Sequence, residues 1–217
     1  MSLAPGSSWS LSEDDPADLT FALYVRDACG LRAAGDDVPP LTPEVPTTMA
    51  LPGRHTATLL RGQWDSWWTA LLTDRSTAQR WYWAFLGEQL GEPTGGDASG
   101  GLLPIGAELS RAQQEMVLPA RRWRSAHPVG RRRAPGPVPR DDSLMVTCLV
   151  DDIESEIGHR ARAFDYRVEV VPVQGRWFQD LSANALLVSQ ELLTNSDTYR
   201  DLLRSRLTAL AQAEPKQ

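Results

Sequence analysis

The sequence predicts an α+β fold, with a mainly helical N-terminal part and a C-terminal α-β-β-α part that forms a small antiparallel sheet. Two observations support this class. Residues 54–90 repeat large apolar side chains with the period of a helix. Residues 166–173 are instead rich in β-branched side chains, which is typical of a strand. Residues 119–142 are rich in Arg, Pro and Gly, so we expect a linker or arm there, between a part at 1–118 and a part at 143–217.

The length, charge and cysteine content of the chain limit the kinds of protein that it can be. With 217 residues the chain can form one domain or two small ones, and its formal charge of −6 does not favour nucleic acid or an anionic membrane as a partner. No apolar run reaches the length of a spanning helix, and the first residues lack the features of a signal peptide. Cys29 and Cys148 have no metal-binding or redox spacing, which predicts a reduced, cytoplasmic protein. All basic residues except Lys216 are Arg, which we interpret as the codon bias of a GC-rich bacterial genome.

The first element, at residues 19–26, has two interpretations. Asp15 and Pro16 are typical of a helix start, since proline is favoured in the first turn. The residues that follow alternate between apolar and other side chains, as in a strand. We favour the helix and leave the strand open. Residues 33–53 contain five prolines, which predicts an extended loop or arm at the surface.

The stretch around which the chain is organised is the tryptophan-rich segment at residues 54–90. Its two halves each place six apolar residues on one face of a helix, and residues 73–76 leave room only for a tight connection. The segment therefore predicts an antiparallel helical hairpin with an aromatic seam, with Ser76 and Gln79 forming a capping box at the start of the second helix. The seam residues are Leu60, Trp64, Trp67, Trp68, Leu71 and Leu72 in the first helix, and Ala78, Trp81, Tyr82, Phe85, Leu86 and Leu90 in the second.

Trp83 lies outside the centre of the second stripe and widens its apolar arc to about 200°. Such an arc has two interpretations. The helix is buried on two sides, or Trp83 helps to form a surface for a partner, because Trp and Arg anchor protein interfaces. On the second interpretation Trp64, Trp67 and Trp81 belong to the same partner-binding surface.

Residues 105–118 predict a short helix, and the basic segment follows it. Residues 111–140 contain eight Arg and one Glu. We expect this segment to dock on another protein as an arm; a polyanion or nucleic-acid site, in which Trp123 stacks on a base, and a solvated linker are the alternatives. The residues that would carry either role are Arg121, Arg122, Trp123, Arg124, Arg131, Arg132 and Arg133.

The C-terminal part predicts a helix that begins near Leu144, a strand at 166–173 and a short second strand at 185–190. Pro172 lacks an amide donor, so the end of the first strand should lie at an edge or a bulge. A final helix follows, capped by residues 195–197.

The sequence contains none of the common catalytic or nucleotide-binding motifs, and no cofactor is predicted. One constellation could carry chemistry. On a continuous helix Asp152, Glu156 and His159 would share a polar face, which could hold a divalent metal or perform acid/base hydrolysis. The alternative is a solvated face in which Glu156 pairs with Arg160. We therefore expect a non-catalytic protein-interaction or assembly subunit, and a metal-assisted or acid/base hydrolase is the rival hypothesis.

Overall fold

The computed structural model describes residues 9–49, 53–90, 106–129, 142–161 and 163–212. The described elements are, in chain order, β1 (Trp9–Asp14), α1 (Ala17–Ala28), α2 (Arg54–Thr73), α3 (Arg75–Leu90), α4 (Ala107–Ala126), α5 (Asp142–Ile157), β2 (Phe164–Val171), β3 (Phe178–Ser182), β4 (Ala185–Ser189), α6 (Gln190–Thr194) and α7 (Ser196–Gln212). No helix among these residues is both long enough and apolar enough to cross a membrane.

The chain divides into two compact units. The sheet unit consists of Met1–Asp15, Val129–Val171 and Gly175–Gln217. The helical unit consists of Pro16–Pro128 and Pro172–Gln174. Its main segment is inserted in the chain between β1 and α5 of the sheet unit, and the short second segment lies between β2 and β3.

The sheet unit contains a mixed four-stranded sheet in the order β1-β2-β4-β3. β1 and β4 both run parallel to β2, whereas β3 forms an antiparallel hairpin with β4. In the β1–β2 ladder Trp9 is opposite Phe164, and their rings stack with centroids 6.2 Å apart. One face of the sheet, together with α5, α6 and α7, supplies an apolar core that includes Leu149, Ile153, Tyr166, Val168, Leu186, Val188, Tyr199 and Leu203.

The α+β class is confirmed, but the sheet is mixed and not antiparallel as predicted. The strand predicted at 185–190 is present as β4, and the one at 166–173 as β2. β1 and β3 were missed because both are short edge strands with many polar side chains. The last helix begins as predicted, since Asn195 Oδ1 accepts a hydrogen bond of 3.2 Å from the Thr198 amide.

In the helical unit, residues 19–26 form a helix, and every residue of α1 is buried. This burial explains why the sequence was ambiguous: a helix covered on all sides has no solvent-facing stripe, so its pattern carries no helical period. The charged residues of α1 are paired inside the unit. Arg26 donates to the Asp27 carboxylate at 2.8 Å and to the carbonyls of Val38 and Pro39, each at 2.7 Å.

The loop after α1 is irregular, as predicted, but part of it is buried. Leu31, Val38, Leu41 and Val45 all lie inside the unit. Asp27 fixes the loop, because its carboxylate accepts a hydrogen bond of 2.8 Å from the Leu41 amide.

The predicted helical hairpin is formed by α2 and α3, which a single residue, Asp74, separates. The predicted capping box is wrong because α3 begins at Arg75, before Ser76. Asp74 acts as the cap, and its carboxylate accepts hydrogen bonds from the Thr77 amide and the Ser76 hydroxyl, at 3.1 and 3.0 Å.

α4 is longer than predicted. It continues through Pro119 to Ala126, so the first eight residues of the expected arm are helical. The expected arm also includes residues 130–141, which lie outside the described residues.

Candidate functional site

The aromatic seam of the hairpin closes on α1 through Phe21. The ring of Phe21 lies 6.0 Å from Trp67, edge to face, 5.7 Å from Tyr82 and 6.0 Å from Phe85. Trp81 completes the cluster, stacked on Phe85 at 5.3 Å and edge-on to Trp67 at 5.8 Å. Ring pairs at these distances are worth about 0.5–1.5 kcal/mol beyond the burial of their area, so the seam is the core that holds α1, α2 and α3 together.

Trp64 also has a structural role. Its indole Nε1 donates to the Ala22 carbonyl at 2.8 Å, and its ring stacks on Trp68 at 5.6 Å. The guanidinium carbons of Arg26 and Arg61 lie 5.6 and 5.5 Å from the same ring, within the range of a cation–π contact.

The four tryptophans predicted to bind a partner lie in three different environments. Trp64 and Trp67 are 3% and 1% exposed and present no surface to another molecule. Trp81 is half-buried in the seam. Trp83 is 61% exposed, which contradicts the interpretation that α3 is buried on two sides.

Trp83 is held in place from one side only among the described contacts. The ring of Tyr82 meets it edge-on at 5.5 Å, with the two ring planes 62° apart. At helical spacing its neighbours are Gln79, which is half-buried, Arg80, which is exposed, and Gly87, which is buried. Arg80 is exposed and donates to the Thr77 hydroxyl at 3.0 Å. We call Trp83 and Arg80 the outer face of α3.

The basic segment contributes exposed and packed side chains. Arg121 and Arg122 are exposed on α4, and Arg124 is half-buried. Trp123 is half-buried too, with its ring 6.0 Å from Tyr24 and 4.9 Å from His127. Its ring is therefore already in contact with two others, which does not favour the predicted stacking on a base. Arg131, Arg132 and Arg133 lie outside the described residues.

The acidic constellation predicted for a metal or a hydrolase is not assembled. α5 ends at Ile157, and Gly158 adopts φ +74°, so His159 does not continue the helical face. His159 Nδ1 lies 3.0 Å from the Arg160 carbonyl. Asp152 and Glu156 instead form ion pairs with Arg200 and Arg204 of α7, the first at 3.1 Å.

The predicted pair between Glu156 and Arg160 is thus replaced by a pair between two helices. Within the described ranges no group of three or more His, Cys, Asp or Glu side chains is arranged to hold a metal ion.

Asp36 and Cys29 are among the groups whose pKa departs from its usual value. The hydrogen bond from Arg61 holds the pKa of Asp36 below its usual range. Burial, with a smaller contribution from the Glu115 carboxylate, raises the pKa of the Cys29 thiol to about 11. Both shifts have structural causes, a hydrogen bond from Arg61 for Asp36 and burial for Cys29.

Sequence reasoning missed Arg80 and Leu118. Leu118 is 55% exposed on α4, and the prediction placed it at the end of a helix that in fact continues for eight more residues. The signal that could have found both is angular: each lies on the side of its helix opposite the buried stripe.

No protein-family model matches this sequence, and no curated protein or solved structure shows significant similarity to it. The exposed side chains are therefore the features of the molecule that bear on its function.

Proposed function

We propose that the protein is a non-catalytic interaction or assembly subunit that binds another protein through the outer face of α3, with Trp83 as the anchor. The observation that supports this proposal is the 61% exposure of Trp83 beside a seam in which Trp64 and Trp67 are buried. Burying a large apolar side chain contributes about 1.5–3 kcal/mol, and Trp and Arg are the residues that most often dominate interface energies. The outer face of α3 carries one residue of each type, Trp83 and Arg80.

The side chains of this surface indicate which groups the partner should present. The indole fits an apolar pocket, and the Arg80 guanidinium three residues before it fits a carboxylate at the rim of that pocket. In the same proposal the basic segment that begins at Arg121 is a second contact with the partner, and Arg121 and Arg122 are its exposed members on α4.

We also propose that the protein works in a reducing, cytoplasmic environment. Cys29 and Cys148 are both free thiols, as expected where disulfides do not persist.

The test begins with the native mass of the chain in gently lysed source cells, measured by size-exclusion chromatography for the wild type and for Trp83→Ala. We expect the wild type to elute in a larger complex and Trp83→Ala to elute near the chain mass of 24.0 kDa. The melting temperature of Trp83→Ala should stay within about 2 °C of the wild type, because an exposed side chain contributes little to folding.

Leu59→Ala is the matched control, since Leu59 is also exposed, at 42%, on the preceding helix. This variant should elute with the wild type. Partners identified by cross-linking would then be purified, and Trp83→Ala should raise the Kd by at least about 10-fold in calorimetry. A complex that survives Trp83→Ala, or a large fall in the melting temperature, would contradict the proposal.

A further inference from the structure

The exposed side of α4 carries an ordered pattern of charge. Six exposed residues with long side chains fall within an arc of about 120° on an ideal helix, with Leu118 at its centre. Leu118 also lies near the middle of the length of α4, which has 20 residues. The six are Arg111, Gln114, Glu115, Leu118, Arg121 and Arg122.

Polar residues flank Leu118 unequally. The turn before it contains Gln114 and Glu115, and the turn after it contains Arg121 and Arg122. Glu115 accepts a hydrogen bond of 2.9 Å from Arg111 on the same exposed face, and this pair is open to solvent. Glu115 and the Arg111 that contacts it lie on one side of the apolar centre, and Arg121 and Arg122 lie on the other, so a reversed second copy brings an Arg guanidinium against each Glu115 carboxylate.

We propose that a second copy of this chain binds this face, with the two α4 helices antiparallel and a two-fold axis at Leu118. In that arrangement each flank of the face packs against the same flank of the other helix, so the residue three before Leu118 is opposite the residue four after it. Glu115 then meets Arg122 of the second copy, and Gln114 meets Arg121, each contact occurring twice by symmetry. The two Leu118 side chains meet at the axis and remove each other from water.

In a parallel pairing of the two α4 helices, the charged contacts would be repulsive. This pairing would place Arg121 beside Arg122 of the second copy and leave Glu115 beside Gln114, and like charges in contact across an interface disfavour association. The charge order on α4 therefore selects the antiparallel arrangement.

The size of the face sets the strength of the dimer. A helix of 20 residues is about 30 Å long, and one face of it buries less than the roughly 800 Å² per partner of a standard interface. We expect a dimer that dissociates on dilution, with a Kd in the range of about 10–100 µM.

The experiment is sedimentation equilibrium of the full chain between about 5 and 500 µM, a range that brackets this Kd. The wild type should pass from 24.0 kDa to twice that mass. Leu118→Asp should raise the Kd by at least about 10-fold, whereas Leu59→Asp, at the matched exposed leucine of α2, should leave it unchanged.

Charge exchange tests the register. Glu115→Arg and Arg122→Glu should each stay monomeric alone, because each places like charges across the axis. An equimolar mixture of the two should dimerise again, since the introduced Arg of one copy then meets the introduced Glu of the other. Circular dichroism of each variant checks that α4 is still folded.

A wild type that stays monomeric at every concentration overturns the inference, whether another protein or none covers Leu118. A dimer that Leu118→Asp leaves intact overturns it as well, and so does a mixture of the charge variants that fails to associate. The inference does not depend on the outer face of α3, and Trp83→Ala should dimerise like the wild type. It does use Arg121 and Arg122, so the dimer and the second contact proposed for the partner exclude each other on this face of α4.

Discussion

Trp67 and Trp83 are the same residue type on consecutive helices of one hairpin, and they have opposite environments. Trp67 is 1% exposed and touches Phe21 and Trp81, whereas Trp83 is 61% exposed and meets the edge of Tyr82. The angle around the helix separates them. Trp83 is two residues after Trp81, which turns it by about 200° away from the seam.

The comparison shows that an apolar arc too wide for one packed face can combine two faces with different roles. Aromatic content alone would assign Trp64, Trp67 and Trp83 to one surface. Position relative to the seam assigns the first two to folding and leaves the third for recognition.

The largest effect should come from Trp67→Ala. Removing the indole leaves a cavity among packed aromatic rings, and truncation of a buried aromatic side chain lowers the free energy of unfolding by about 3–5 kcal/mol. Equilibrium urea denaturation should show this loss, and Trp83→Ala, measured beside it, should lose less than about 1 kcal/mol. Equal losses for the two variants would remove the distinction between the faces.

Two arginines of α3, Arg75 and Arg80, differ in the same way, and we expect a slightly smaller loss of stability when the half-buried one is removed. Arg75 binds the Asp18 carboxylate through two hydrogen bonds, at 2.6 and 3.0 Å, and Asp18 is 1% exposed. Arg75→Met leaves that carboxylate buried without its counter-charge, which should cost about 3 kcal/mol. Arg80→Met, on the exposed face, should cost less than about 0.5 kcal/mol in the same urea denaturation.

A double variant checks the cause. Asp18→Asn combined with Arg75→Met should recover part of the lost stability, since no buried charge remains. If the double variant is less stable than Arg75→Met alone, the loss does not arise from the stranded carboxylate.

The last prediction concerns the two cysteines, whose rates of reaction with a disulfide reagent should differ while the stability of the protein changes least. Cys29 is buried with its pKa raised to about 11, and Cys148 is exposed. At pH 8 a thiol with that pKa is only about 0.1% thiolate, the form that reacts, so a disulfide reagent should modify Cys29 at least about 100-fold more slowly than Cys148. Cys148→Ala should abolish the fast reaction, and urea should expose the slow thiol. If both thiols of the native protein reacted at the fast rate, Cys29 would be accessible to the reagent and the prediction would be wrong.

The sequence predicted the hairpin because its helical period is strong and its connection is short. It left α1 undecided because a helix with Arg26 and Asp18 buried inside it shows no polar stripe. It missed β1 because the pairing of Trp9 with Phe164 lies beyond any local pattern. The break at Gly158 was visible in the sequence as a typical helix end, and weighing it would have removed His159 from the acidic face.

For the candidate site, the sequence identified Trp83 by its angular offset but could not separate it from Trp64 and Trp67, since burial depends on Phe21 and Ala22 of another helix. Leu118 was missed because Pro119 suggested a helix end. Proline inside a helix costs about 3 kcal/mol, and here the packing of α4 against α1 and α2 offsets it.

The parallel pairing of β1 with β2 has a consequence for synthesis. β1 leaves the ribosome before β2, because its register partner lies 155 residues later in the chain. At roughly 5–20 residues per second, β1 waits for about 8–30 s while all of Pro16–Pro128 is translated. The inserted unit thus has time to form its hairpin before the sheet can be completed. During that wait the unpaired backbone of β1 is open to other nascent chains, so the earliest strand of the sheet is also the one that waits longest for its partner.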